Sequence, residues 1–331
     1  MKVITLRLTS KLTLILVFFA AALLMAVSLL AYDSGRKVME VAATAELEST
    51  AGEKEQRLTA WVEEKKSDIQ ALSEDPAGME KATALITPPS QPAAPDDARA
   101  RLIEQFAPRI LSHEFTVLML LDPQTGQVVA ATDSSEEGRS RMDRPYFLEG
   151  KKGTYLTPIY FSLELQAPAM TASAPVFSGD GKLLAVLAGR VNLKELNAII
   201  QLRSGSHQTD DSFLVNTSHQ FITQPRLLPD PAVLERGIST LPVERCLQHR
   251  NGTVFATDYR DVPAIAVYRW LPETQMCLIV TISQAEALAS EHSFAMSIWW
   301  IGCPMSLARL SMCDSSGRGT LRHGPQDTQE S

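Results

Sequence analysis

The sequence predicts an α+β fold in which one long N-terminal helix precedes two modules built on antiparallel sheets. The first observation is an uncharged apolar run that continues into a proline-free segment with helical periodicity up to about Glu74. The second is a change of pattern at Phe115, after which apolar residues come in short runs separated by turn residues, as in β-hairpins. Helices and hairpins that follow each other in separate blocks favour antiparallel sheets with the helices on one face.

The first predicted element is a transmembrane helix from Leu12 to Tyr32, a run that holds no charged residue. At roughly 1.5 Å per residue the run reaches about the 30 Å of a bilayer's hydrocarbon core. Basic residues at positions 2, 7 and 11 keep residues 1–11 in the cytoplasm, so everything after Asp33 should be exported. A cleaved signal peptide ending near Ser28 is the alternative, and it also places the main domain outside.

Residues 33–114 should form a stalk helix, a proline-rich loop and a second helix. The loop is predicted for residues 75–97, which contain five prolines, and the second helix for about residues 98–112, with Pro108 kinking or ending it. One face of the stalk either pairs with a second copy in a homodimer or packs against its own sheet. The apolar residues of that face are Leu58, Val62, Ile69 and Leu72.

Short apolar runs then predict one sheet module at residues 115–202 and another at residues 203–290. Turn residues at Asp122–Gly126 and Ser178–Gly181 predict tight reversals, and a helix over residues 192–202 should join the modules. The strands of the first module are predicted at 115–121, 128–132, 170–176 and 183–191. Those of the second are predicted at 213–215, 221–223, 253–259, 264–270 and 276–282, with helical turns at 231–235 and 242–249.

Composition excludes some function classes and leaves others open. The formal charge of -7 over 331 residues offers no basic face for nucleic acid. Two of the four cysteines, Cys246 and Cys277, fall in the exported part, where they form either a disulfide or a pair of buried thiols. Six scattered histidines give no zinc spacing, and residues 150–154 lack the spacing of a phosphate loop. We therefore expect no enzyme, no metal and no cofactor.

A set of short motifs resembles the double Cache sensor domains of bacterial sensor histidine kinases, diguanylate cyclases and chemoreceptors. The motifs are Asp143–Lys151 (DRPYFLEGK), Tyr160-Phe161, Pro168–Met170, Ala174–Val176 and Leu187–Leu193 (LAGRVNL). The resemblance covers about residues 33–289 and implies two PAS-like modules on a stalk helix, of which the membrane-distal one binds a small molecule. It also implies a receptor in a bacterial inner (cell) membrane, with its main domain periplasmic or extracellular.

The resemblance implies a ligand site in the distal module. Members that bind amino acids have an Arg-x-Trp-Tyr stretch, then a Tyr with an Asp two places on, then a second Asp near the last strand. Arg144, Tyr146 and Phe147 fit the first part and Tyr160 fits the second, whereas Ser162 and Arg190 stand at the positions of the two acids.

Because this chain lacks both acids, the ammonium group of an amino acid would have no partner in the site. Two guanidiniums, those of Arg144 and Arg190, suit a carboxylate instead. The expected ligand is thus a small carboxylate rather than a zwitterionic amino acid. The alternative is that the arginines form ordinary ion pairs with Asp143 or Glu149, and that the aromatic residues belong to the core.

The C-terminal part predicts an incomplete second transmembrane segment at residues 291–310 and a disordered tail at 311–331. The apolar run there is short for a bilayer and is interrupted at Cys303-Pro304. The sequence therefore predicts a truncated or output-less receptor. The alternatives are a membrane-anchored binding module without signalling output, or the sensor part of a histidine kinase or diguanylate cyclase whose catalytic domain is missing.

Overall fold

A computed structural model describes residues 8–86, 95–203 and 207–289. The first helix, α1, runs without a break over Leu8–Glu74, which confirms the predicted helix and its end. Residues 41–286 form one compact unit, and Leu8–Glu40 belongs to another. The predicted second membrane segment and tail lie outside the described residues.

The N-terminal part of α1 is long and apolar enough to cross a bilayer. Among the described residues it is the one helix with this property, and its apolar side chains are exposed throughout, as at Leu16 and Phe19. This is consistent with a membrane anchor. A signal sequence has the same composition.

The stalk, residues 41–74 of α1, packs into the fold of its own chain. Leu58, Val62 and Ile69 are buried there, so the face that could have formed a helix-pairing seam is covered within the chain. Polar contacts add to this packing. Trp61 Nε1 donates to Glu195 Oε2 at 2.9 Å.

Two further helices follow the stalk, α2 at Pro76–Ile86 and α3 at Pro95–Leu111. The loop predicted for residues 75–97 is therefore wrong over 76–86 and over 95–97. Pro76 begins the helix at a position whose N–H needs no intrahelical partner, and Asp75 Oδ1 accepts from the N–H of Ala77 at 3.2 Å. The helix α3 ends within one turn of Pro108, as predicted.

The first sheet module, residues 115–202, has five antiparallel strands in the order β2-β1-β7-β6-β3. The strands are β1 Phe115–Leu121, β2 Val128–Ala131, β3 Tyr155–Leu156, β6 Thr171–Phe177 and β7 Leu183–Val191. Between them lie a 3-10 turn at Ser134–Glu136, helix α4 at Pro145–Gly150, and a separate hairpin of β4 Tyr160–Ser162 and β5 Ala167–Ala169. Helix α5, Leu193–Gln201, leads out of the module and is capped by Asn192.

The second sheet module, residues 207–286, has four antiparallel strands in the order β8-β11-β10-β9. They are β8 Asp211–Asn216, β9 Gly252–Thr257, β10 Pro263–Leu271 and β11 Met276–Ser283, with helix α6 at Leu241–Leu247 and a short α7 at Gln284–Ala287. A disulfide joins Cys246 on α6 to Cys277 on β11, with 5.9 Å between their Cα atoms.

Two elements predicted for the second module are wrong. Residues 221–223 make an isolated bridge instead of a strand, because the hydroxyl of Thr223 takes the N–H of Leu214 in place of a backbone carbonyl. Residues 231–235 form turns rather than a helix, since Leu234 adopts a left-handed conformation with φ of 58°.

Candidate functional site

The aromatic residues of the predicted site lie on and beside α4. Tyr146 and Phe147 are buried in a core cluster that includes Val117 and Val186. Pro145 starts α4 at its first position, which fixes where the two rings enter the core. Burial raises the pKa of the Tyr146 phenol to about 12, so this side chain stays neutral.

Two of the predicted site residues, Tyr160 and Ser162, lie on β4, and each is held by a contact of its hydroxyl group. The Tyr160 hydroxyl lies 3.3 Å from Thr171 Oγ1 on β6. Ser162 is buried, and its Oγ accepts from the N–H of Leu165 at 3.3 Å, which fixes the turn of the β4–β5 hairpin. Ser162 thus binds its own turn in this structure.

The two predicted arginines differ in burial. Arg144 precedes α4, its side chain is 44% exposed, and its Nε lies 3.9 Å from Asp143 Oδ1. Arg190, on β7, is far more buried, and its Nη2 donates to Glu136 Oε1 at 3.0 Å. Each guanidinium therefore faces a carboxylate, one at the surface and one inside the module.

Sequence reasoning missed the centre of this region, which is Arg141. Only 4% of Arg141 is exposed. Its Nη2 binds Glu136, and its Nη1 and Nη2 donate to the two carboxylate oxygens of Glu164 at 2.6 and 2.9 Å. Its buried Nε has no hydrogen-bond partner among the described residues. We call Arg141, Arg190, Glu136 and Glu164 the charged cluster.

Local turns position the members of the charged cluster. Glu136 ends the 3-10 turn, which Asp133 caps by accepting from the N–H of Ser135 at 2.9 Å. The N–H of Arg141 donates to the carbonyl of Gly126 at 2.7 Å. Gly126 has φ of 66°, and a Cβ there would lie 2.7 Å from the backbone of Met142, so this junction requires glycine.

The electrostatics of the cluster are those of strong ion pairs. Hydrogen bonding to Arg141 holds the pKa of Glu164 below its ordinary value, against the opposing effect of burial. In turn, hydrogen bonds to Glu164 and Glu136 raise the pKa of Arg141 above its ordinary value, although burial of the guanidinium acts to lower it. Two guanidiniums face two carboxylates, so the cluster is neutral as it stands.

The arrangement is suited to binding a carboxylate. A buried guanidinium recognises carboxylates through paired N–H donors, and hydroxyl groups next to it add hydrogen bonds. In the described part of the chain, no group of three or more histidine, cysteine or acidic side chains is arranged to hold a metal ion. A signal for Arg141 was present in the sequence, since it lies two residues before the Asp143–Lys151 motif and three before Arg144.

Comparison with known structures supports the fold. The sensor domain of the V. cholerae histidine kinase DctB is 15% identical and has a TM-score of 0.53, over 73% of this chain and 98% of that one. The sensory domain of the Campylobacter jejuni chemoreceptor Tlp3 has the same identity and TM-score, over 77% and 98%. The ligand-binding domain of Mlp24, solved with asparagine, is 15% identical with a TM-score of 0.50, over 78% and 99%.

The family assignment comes from the sequence itself. No curated protein matches the chain. The Cache domain model of the double Cache type matches residues 36–290, which includes the stalk and both sheet modules. Sensor domains of this kind are in general ligand-binding modules of receptors and histidine kinases. The chain therefore belongs to the Cache domain family, as a double Cache sensor domain that follows an apolar helix.

Proposed function

We propose that this chain is the exported sensor of a bacterial membrane receptor, and that its first sheet module binds a small molecule through a carboxylate group. The observation that carries the proposal is the buried guanidinium of Arg141, which already binds a carboxylate in bidentate fashion. The site would include the six residues suggested by the sequence together with Arg141. The six are Arg144, Tyr146, Phe147, Tyr160, Ser162 and Arg190.

The charge of the cluster favours a carboxylate over an amino acid. An asparagine is bound by Mlp24, and such a ligand needs an acidic partner for its ammonium group. Here Glu136 is bound by Arg141 and Arg190, and Glu164 is bound by Arg141. Because both acids of the cluster are paired, an ammonium would have to displace a guanidinium from one of them, whereas a carboxylate can also accept from Arg141 Nε, a buried donor without a partner among the described residues.

Titration of the full chain in detergent micelles tests the ligand class. Succinate and acetate should raise the thermal unfolding temperature, while succinamide and acetamide, which lack the charge, should not. Arg190→Gln should weaken succinate binding by about tenfold or more, as expected for a lost charge-assisted contact. Arg250→Gln, an exposed arginine of the second module, is the matched control. Stabilisation by amino acids alone would contradict the proposal.

Signal transfer would pass through the stalk. Lys65 Nζ lies 3.3 Å from Glu195 Oε2 on α5, and Lys66 Nζ lies 2.9 Å from Glu273 Oε2 in the second module. A ligand that changes the packing of the first sheet on the stalk would therefore act on a helix that both modules contact. The apolar start of that helix supports anchoring in the inner membrane, with the main domain outside.

A homodimer is also part of the proposal, although the buried stalk face does not support it. Val38 and Val41 are exposed and lie three residues apart on α1, where a second copy could pack. Oxidation of a Val41→Cys variant in native membranes should give a disulfide-linked dimer. Failure of this variant to crosslink while binding is intact would argue for a monomer.

A further inference from the structure

The β4–β5 hairpin of the first module stands apart from the main sheet. Its two strands pair with each other in a sheet of their own, separate from the five-stranded sheet. The apolar side chains at its tip point away from the core, since Leu163 is 78% and Leu165 41% exposed. The tip is therefore held mainly by polar contacts.

The principal contact is Glu164, which lies at the tip between these two leucines. Both of its carboxylate oxygens accept from Arg141, and Arg139 Nη1 lies 3.8 Å from Oε1. The second acid of the charged cluster is placed differently. The side chain of Glu136 is 5% exposed and is shared by Arg141 and Arg190, whereas that of Glu164 is 37% exposed. Of the two carboxylates, Glu164 is the one that solvent and solutes reach.

We propose that Glu164 is an internal substitute for the ligand carboxylate, and that a ligand binds by taking its place on Arg141 and releasing the hairpin tip. The inference rests on the proposed function and identifies its binding group and its competitor. Exchange of one carboxylate for another keeps the buried guanidinium neutralised, so no buried charge is left unpaired during the replacement.

The unused donor of Arg141 supports this exchange. Its Nε is buried and has no partner among the described residues, because Glu164 uses only the two terminal nitrogens. A free carboxylate is not tied to a hairpin, so it can bind the Nε side of the guanidinium and satisfy this donor. Tyr146 and Tyr160 are near enough to interact electrostatically with each other, and Tyr146 with Arg141, so we assign them as contacts for the rest of the ligand.

Competition by Glu164 has a measurable consequence. A site occupied by an internal competitor binds a ligand more weakly in proportion to the fraction of time for which it is free. Glu164→Gln should therefore tighten succinate binding to the full chain in detergent micelles by about tenfold, because a neutral amide competes poorly for a guanidinium. Glu149→Gln is the matched control, since Glu149 pairs with Lys152 at 2.7 Å on α4.

Isothermal titration calorimetry with succinate, at constant ionic strength set by chloride, distinguishes the outcomes. Tighter binding by Glu164→Gln, with the control unchanged, supports the inference. Equal or weaker binding by Glu164→Gln overturns it and leaves the proposed function standing. If neither wild type nor Glu164→Gln binds succinate or acetate, both the inference and the proposed function are overturned.

Two further measurements test the inference even if Glu164→Gln folds poorly. Glu164→Asp keeps the charge but shortens the reach to Arg141, so it should also tighten succinate binding, by less than the glutamine variant. In wild type, saturating succinate should speed amide hydrogen exchange at residues 163–166, because the tip is released. Unchanged or slower exchange there, with succinate bound, would overturn the inference.

Discussion

The two sheet modules bury charged groups in different ways. In the first module the buried charges are paired side chain to side chain, and the partners come from separate segments: a 3-10 turn, a loop, a hairpin tip and β7. In the second module the buried acids are bound mostly by backbone N–H groups of nearby turns. Asp211 accepts from the N–H groups of Ser212, Arg226 and Leu227. Asp258 accepts from those of Arg260 and Val262 and also from the guanidinium of Arg260, its neighbour in the same turn.

Aromatic packing and a disulfide also hold the core of the second module. Phe213, Phe221 and Tyr259 pack edge to face with ring centroids 5.2 to 5.8 Å apart. The disulfide ties α6 to β11 behind them. Backbone donors cannot leave an acid without unfolding a turn, whereas a side-chain partner can be exchanged for a ligand. The first module therefore holds its buried charges by contacts that can be exchanged, whereas backbone donors, ring packing and a disulfide brace the second module.

The largest expected effect is that of Arg141→Met. Loss of this guanidinium leaves Glu136 with Arg190 alone and Glu164 with only the exposed Arg139, 3.8 Å away. Breaking a buried pair costs about 3–5 kcal/mol of unfolding free energy. Urea denaturation of the full chain in micelles measures the loss. Arg139→Met, an exposed arginine two residues earlier, is the control. If both variants lowered the free energy of unfolding equally, the first module would not depend on buried side-chain pairs, and this difference between the modules would disappear.

Removal of the disulfide should lower the free energy of unfolding by a similar amount, but it should loosen the second module instead of the first. Cys246 and Cys277 are 31 residues apart, and opening a loop of that size costs about 3–4 kcal/mol in the chain-entropy estimate. We expect the faster hydrogen exchange after reduction to be confined to residues 207–286. A Cys246→Ser, Cys277→Ser double variant should not respond to the reductant. Loss of succinate binding on reduction would show that the first module depends on this link.

A smaller effect is expected at Lys54, which connects the stalk to the end of α5. Its Nζ donates to the carbonyls of Ile200 and Leu202, both at 2.5 Å. Lys54→Met leaves these two acceptors without that donor, at a cost of about 1–3 kcal/mol in unfolding free energy. Arg57→Met on the same helix, which loses a surface pair with Glu53, should cost much less.

The same lysine gives a pH dependence with a defined sign. Burial lowers the pKa of Lys54 to about 8, against the nearby charges of Asp210, Glu53 and Asp211, which raise it. An unfolded lysine titrates near ~10.4, so between about pH 8 and 10.4 the unfolded state binds more protons. The free energy of unfolding should gain a rising contribution over that window, and Lys54→Met should lose it. An identical slope in the variant would contradict this assignment.

The smallest expected effect is that of Tyr259→Phe in the second module. The Tyr259 hydroxyl donates to Asp211, but three backbone N–H groups still bind that acid after the substitution. We expect a loss of about 0.5–1.5 kcal/mol in unfolding free energy. A loss as large as that of Arg141→Met would mean that the second module also depends on side-chain pairing.

Local patterns predicted most of the regular structure. The bounds of β1 and β7 match the prediction because continuous apolar runs end at turn residues, as at Asp122 and Asn192. The helix ending at Glu74 was predicted from helical periodicity and the absence of proline. The helix at Pro76–Ile86 was missed because proline was counted as a breaker, whereas a proline in the first turn is tolerated.

The candidate site was less accessible to sequence reasoning. Glu136 and Arg190 are 54 residues apart, and Arg141 and Glu164 are 23 apart, so their pairing depends on how the sheet and hairpin fold. The resemblance pointed to residues 143–151, which contain Arg144 and Tyr146 and follow Arg141 closely. The six residues chosen from it stay a prediction until ligand binding is measured.

The cystine between α6 and β11 has a consequence for how the molecule should be prepared. Thiols remain reduced in the cytosol of common production hosts, so material made there would lack this covalent link. Secretion to an oxidising compartment, or refolding with a glutathione mixture, is therefore the appropriate route. Calorimetry on cytosolic material would otherwise describe a loosened second module.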